Sequence, residues 1–402
     1  GTAQKSTVLG QFFGGIAGYA GNLQLQGCTS ATRSGLSTAA LTALVRAGYD
    51  ADGTLNEKSP LKGDFVGGLV GFGRNIALTD CRTESGYVLG RSFVGGFVGG
   101  FVGSDLQTSG GENNSYVFGN RYVGGIVSVN GKNSTIKNMT NKGLVAGLGK
   151  GAAYVGGIAG VNDAAWGLLE NDELTDNIAA TLQDSANSMS TVEATDKNRI
   201  DLLNQLSQTA GGTEHYADFV GGVAGYNGTN AKIHWTTESE NGATLGAVLY
   251  GSNFVGGVAG YNDPKASIVN EHTTTPNVTG TIVATGDCVG GVIGLNGAAQ
   301  LPAVQVSANK IEGVHFVGGV IGANLPQNGF EFDNASGTAA PAATIGTGSL
   351  VADGVAGGII GYNRVVPDKT LQIALAGEKT GISDALRALL PTFDGTTHAL
   401  AE

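Results

Sequence analysis

Apolar residues and glycines follow one nine-residue grammar along almost the whole chain. Phe219-Val-Gly-Gly-Val-Ala-Gly-Tyr-Asn227 states it: an aromatic or apolar residue, an aliphatic, Gly-Gly, an aliphatic, a small or aliphatic residue, Gly, an apolar residue, Asn. Copies begin at Phe12, Phe65, Phe93, Tyr122, Tyr154, Phe219, Phe254, Cys288, Phe316 and Val355. The steps between them are 53, 28, 29, 32, 65, 35, 34, 28 and 39 residues, so most lie near 30 and two carry insertions. Self-similarity at such a period marks stacked repeats, each resting on its neighbours. All ten copies keep the Gly pair, and the third Gly is replaced only by Ser128.

Read as one continuous strand, the motif puts Phe219, Gly221, Val223 and Gly225 on one face and Val220, Gly222, Ala224 and Tyr226 on the other. Both faces are apolar, so neither is expected to lie simply in water. One is expected to fill an interior, the other to be covered by an insertion or by another molecule. Two further strands per repeat are predicted. One follows the motif, at Ile76–Leu78, Lys232–Trp235, Ser267–Val269, Ala303–Val306 and Leu371–Ile373. The other precedes the next motif, at Tyr87–Leu89, Tyr116–Phe118, Ala247–Leu249, Thr281–Val283 and Leu350–Val351. Three short strands with Gly, Asn, Asp or Ser corners predict a triangular coil. The fold class expected is therefore all-β, a parallel β-solenoid of about ten coils, on the order of 50 Å long at ~4.8 Å per coil.

Asn130, Asn162, Asn227, Asn262, Asn296, Asn324 and Asn363 occupy the closing slot. Asn tolerates left-handed backbone and bonds to neighbouring backbone, which suits a corner. Stacked copies also predict a ladder of side-chain amides; the functional alternative is a row of ligand-binding amides. Cys28 and Cys81 each lie sixteen residues after a motif start, in equivalent slots of adjacent coils. They are read as thiols on a ladder or as a cross-coil disulfide, since the coil spacing falls within disulfide reach. Cys288 replaces a motif aromatic and reads as core.

The pattern resembles the GLUG motif, a Gly-rich repeat of bacterial surface and secreted proteins that include large adhesins and some IgA-cleaving peptidases. Residues 12–363 carry it outside the two insertions. The resemblance implies an extracellular or cell-surface β-solenoid, not an activity: in the peptidases the repeat accompanies a separate catalytic domain.

The solenoid is expected over residues 1–376. Insertions interrupt it at 31–62, with a short helix at Ser37–Ala47, and at 164–212, with two helices. The first of those two puts Leu174, Ile178 and Leu182 on one face of Glu173–Leu182; the second carries Ile200, Leu203 and Leu206 after a cap at Asp196. Residues 377–402 form a capping or docking segment whose helix, Ile382–Leu390, ends at Pro391. Residues 6–13 match Gly86–Phe93, so the chain opens in the last strand of a coil. That open coil is expected to meet preceding residues of a longer protein or another subunit.

Composition narrows the function. Gly is 69 of 402 residues without a three-residue period, which excludes collagen. Charged residues are 14%, about half the usual share, and net charge is -11 with no basic run, which disfavours nucleic acid and anionic membranes. The longest apolar run, Phe93 to Gly103, is 11 residues, too short for a membrane span. The histidines are dispersed, and no nucleophile elbow, P-loop, EF-hand loop or calcium-binding nonapeptide is present. Asp163, Asp218, Glu238 and Glu240 read as solvated corners. No catalytic residue, metal site or cofactor is expected. The function expected is an extracellular structural or adhesive module that self-associates or belongs to a longer surface protein. The alternatives are a glycan-binding or polysaccharide-cleaving β-helix, with Tyr226, Tyr261, Tyr362 and Trp235 as its aromatics, and an accessory stalk of a secreted peptidase.

Overall fold

The structure is a computed structural model. It describes residues 12–30, 45–46, 65–84, 86–103, 105–147, 152–166, 180–183, 186–187, 217–234, 244–270, 275–333, 343–346 and 348–366. The described part is all-β, and every strand pairing is parallel. Successive motifs stack in chain order, coil upon coil, as a β-solenoid.

The motif is not one strand. Its first half, as in Asp218–Gly221, joins ten-stranded sheet I, and its second half, as in Ala224–Asn227, joins ten-stranded sheet II. The bend falls at Gly222 and Val223. Continuous period-two alternation is therefore lost: Val220, Val223 and Ala224 all enter the main core, while Phe219 and Tyr226 pack in a second cluster. The physical reason lies in the glycines. A Cβ on Gly221 would overlap the Ala224 carbonyl oxygen across the bend, and one on Gly225 would lie 2.6 Å from the Val155 nitrogen of the preceding coil. The two sheets meet backbone to backbone there, and only Gly permits it.

Two further strands complete most coils, so a coil carries four strand segments, not three. Sheet III follows the motif and includes Ser134–Asn141, Ala231–His234 and Ser267–Val269. Two separate sheets precede the next motif: one holds Tyr87–Leu89, Tyr116–Gly119 and Val145–Gly147 among the early coils, the other Thr244–Gly251, Asn277–Ala284 and Val304–Gly313 among the later ones. The core inside is apolar and continuous, and holds Val123, Ile126, Val127, Ile136 and Met139 in one coil alone.

The helical insertions need correction at two points. Val45–Arg46 is a strand paired with Val88 and Leu89, not part of a helix over Ser37–Ala47. Ala180–Gln183 is a strand of sheet III, where Leu182 stands in register between Ile136 and Ile233, so a helix does not run to Leu182. Ala186–Asn187 also pairs with Ser134–Asn141. Backbone ladders explain both: Ala180–Gln183 fills a rung between two strands of sheet III and Val45–Arg46 continues the ladder beyond Tyr87–Leu89, and an empty rung would leave N–H and C=O groups of the neighbouring strands unpaired. The remainder of 31–62 and of 167–212, the strand expected near Leu371 and the segment 377–402 lie outside the described residues.

Candidate functional site

Four side-chain ladders run along the solenoid. The first is made of the motif asparagines. Asn130 donates from Nδ2 to Asn162 Oδ1 at 2.9 Å, Asn162 to Asn227 at 2.9 Å and Asn227 to Asn262 at 2.8 Å. Asn262 donates to Asn296 at 2.9 Å, Asn296 to Asn324 at 2.7 Å and Asn324 to Asn363 at 2.7 Å. All but Asn363 are fully buried. Several spend their second amide hydrogen on the backbone beyond the corner, as Asn162 does on the Lys232 carbonyl at 3.2 Å and Asn296 on Ala298 at 2.8 Å. These asparagines end extended strands, and none has the left-handed backbone that a corner suggested; that geometry falls on Asn133 and Asn230 instead. Aligned amides polarise one another, and burial leaves no water to replace a lost bond.

The second ladder is aromatic. The first motif residue has positive φ in seven coils: Phe93, Tyr122, Tyr154, Phe219, Phe254, Cys288 and Phe316, at 50 to 64°. For bulky side chains this backbone is an outlier that costs about 1–2 kcal/mol per residue. It turns each side chain out of the main core and onto its neighbours. Centroids lie 4.5 Å apart for Phe65–Phe93, 4.6 Å for Phe93–Tyr122, 5.1 Å for Tyr122–Tyr154, 5.0 Å for Tyr154–Phe219 and 4.6 Å for Phe219–Phe254, with planes within 17°. Stacking worth about 0.5–1.5 kcal/mol per pair offsets most of that strain. Trp166, at the head of the second insertion, covers Phe65, Phe72 and Phe93 at 6.1 to 6.2 Å. The Arg121 guanidinium sits 5.3 Å over the Tyr122 ring.

The third ladder was not legible in the sequence. The residue before the aromatic carries a polar chain: Asp218 accepts from Asn253 Nδ2 at 2.9 Å, Asn253 Oδ1 from the Asp287 N–H at 2.9 Å, and Asp287 pairs with His315 Nδ1 at 2.8 Å. The fourth lies opposite the second Gly of the pair. A Cβ on Gly96 would meet Asn113 Cγ at 2.7 Å, and Asn113 donates to Asn141 at 2.7 Å. Thr83 in turn donates to Asn113. In later coils Val278 and Val306 fill this slot over Gly257 and Gly291.

Asp163 and Asp218 are correspondingly not solvated corners: Asp218 is buried, and Asp163 is largely desolvated. Asp163 Oδ1 accepts the Ala165 N–H at 2.9 Å, and burial, with the Asp263 carboxylate adding to it, pushes Asp163 up to about 6. A carboxyl whose folded value is raised binds its proton more tightly in the native state. Its contribution is full below the unfolded value of 3.8 and is lost as pH rises through about 6. We expect Asp163→Asn to be more stable than the parent by on the order of 2 kcal/mol at neutral pH, with the advantage gone near pH ~4. Urea midpoints of both proteins across that window check it; a parallel pair of curves would refute it.

Cys28 is half-buried, Cys81 and Cys288 are buried, and all three are free thiols. Burial, and the Cys28 thiol beside it, push the Cys81 thiol up. Glu238, Glu240 and Trp235 lie outside the described residues. Among the described residues no three His, Cys, Asp or Glu side chains lie together as metal ligands, and no helix is long and apolar enough to cross a membrane. No family model, no curated protein and no solved structure matches this chain.

Proposed function

We propose that this chain is an extracellular structural or adhesive module of a surface protein, a rod that associates end to end with copies of itself. The observation that carries the reading is the contrast between inner coils and end coils. The fifth motif residue is buried from Leu69 to Val320, yet Ile16 is 47% and Ile359 41% exposed in the first and last described coils. Among the described residues these two coils carry the same motif, and their strands are the outermost of sheets I and II, the kind of edge that pairs with a further rung. Four side-chain ladders, two of them within the solenoid, and a low-charge surface supply stiffness. The surface location rests on the resemblance of the motif to the GLUG repeat. Glycan binding through Tyr226, Tyr261 and Tyr362 has less support, because Tyr261 is fully buried and Tyr226 and Tyr362 pack against the same apolar cluster.

Light scattering over a concentration series, with electron micrographs of the same samples, tests the proposal. Rods that lengthen with concentration are expected, and Ile16→Lys or Ile359→Lys should shorten them while leaving the circular dichroism unchanged. A monodisperse monomer at high concentration would overturn self-association.

A further inference from the structure

The first two coils are joined by a ladder whose register brings two thiols side by side. Gln24, Leu25 and Gln26 pair with Ala77, Leu78 and Thr79, and Thr29 and Ser30 pair with Arg82 and Thr83. Cys28 and Cys81 occupy the same rung between these pairs. Left-handed residues precede both, Gly27 at φ 62° and Asp80 at φ 50°, so the two chains turn together. The Arg82 N–H donates to the Cys28 carbonyl at 2.9 Å, which fixes the alignment at the cysteines themselves. Cys81 Sγ donates back toward the first coil, to the Leu25 carbonyl at 3.6 Å, and to its own Thr79 carbonyl at 3.4 Å.

We propose that Cys28 and Cys81 are a cross-coil disulfide site, a dithiol that oxidises by exchange with a small disulfide and staples the first coil to the second. Side chains on one rung of a parallel sheet point the same way at a spacing of about 4.8 Å, inside the range of about 4.4–6.8 Å between the α-carbons of bridged cysteines. The chemistry balances with oxidised glutathione as the oxidant. The half-buried Cys28, as thiolate, attacks the glutathione disulfide, and a mixed disulfide forms as one glutathione thiolate leaves and takes up a proton. Cys81 then loses its proton and attacks Cys28 Sγ, and the second glutathione thiolate leaves and is protonated. The two protein thiols have lost two electrons and the glutathione disulfide has gained them.

The staple would act on the outermost of the described coils. That coil carries Ile16 and Tyr19, the latter 56% exposed, and among the described residues its motif strands pair on one side, with Phe65–Gly67 and Val70–Arg74. The cysteines also bracket the whole first insertion, so a bridge closes a long loop and removes correspondingly more freedom from the unfolded chain.

The test treats the folded protein with oxidised glutathione and follows intact mass and non-reducing peptide maps. Expected are a mass loss of two hydrogen atoms per chain, a peptide pair joining Cys28 to Cys81, an unmodified Cys288 and a melting temperature raised by several degrees. In Cys28→Ser the bridge and the stabilisation should both vanish. After a single proteolytic cut within residues 31–62, the oxidised fragments should stay together on a gel until reduced. Stable glutathionylation of Cys28 with Cys81 still reduced, a bridge to Cys288, or bridges only between chains would each overturn the proposal.

Discussion

Asn227→Ala is expected to destabilise the solenoid by about 3–4 kcal/mol. The substitution removes the acceptor of Asn162 Nδ2 and the donor to Asn262 Oδ1, both in fully buried positions. Each orphaned partner then bears its desolvation cost, about 1–3 kcal/mol, with no water to replace the bond. The matched control is Asn363→Ala at the exposed end of the same ladder, which should change stability by less than about 1 kcal/mol because only the bond from Asn324 is lost, beside solvent. Asn227→Asp adds a sign check: a carboxylate still accepts from Asn162 but cannot donate to Asn262, so its cost should shrink as the pH falls and the group takes up a proton. Urea titrations measure the differences. Amide exchange in the flanking coils should accompany them, since stacked repeats need not unfold in one step. Equal losses for Asn227→Ala and Asn363→Ala would show that the ladder is ornament.

Gly225→Ala should be worse than its single methyl group suggests, with a loss of about 3 kcal/mol or failure to accumulate as folded protein. The new Cβ would lie 2.6 Å from the Val155 nitrogen and 2.7 Å from the Phe219 carbonyl oxygen. Those atoms belong to paired backbone and cannot swing aside as a side chain would, so the coils themselves must separate. Gly358→Ala, in the last coil, is the comparison: nothing lies within 4 Å of its added Cβ, and its φ is not positive. There the smaller entropy of the unfolded chain should leave the protein unchanged or more stable by a few tenths of a kcal/mol. Melting curves of the two variants decide it. A Gly225→Ala protein as stable as Gly358→Ala would mean that the two motif sheets do not touch.

Both predictions concern the same motif, and they separate what its letters could convey from what stacking adds. Composition and period were enough for a parallel repeat because ten copies of one pattern can bury their apolar faces only on one another. The asparagine slot was legible for the same reason: an identical side chain at an identical place in every coil has its own copies as nearest neighbours. The thiols at Cys28 and Cys81 could be placed side by side by counting from their motifs. The corners were harder. Val45 and Leu182 lie in stretches whose helical signals looked sufficient, but the hydrogen-bonding demand of the neighbouring strands, one beside Val45 and two beside Leu182, outweighed that local preference.

Sequence alone thus determined the stacking axis, the parallel sense and the amide ladder, since each follows from repetition. Tertiary structure decided where the motif bends, which residues face the main core and how the aromatics stand outside it. Those outcomes depend on close backbone contact at Gly221 and Gly225 and on left-handed backbone at residues such as Phe219. It also decided the chain of Asp218, Asn253, Asp287 and His315, four different residue types that become one ladder only when their coils are laid in register. A repeat announces like on like; unlike partners meet only through the fold.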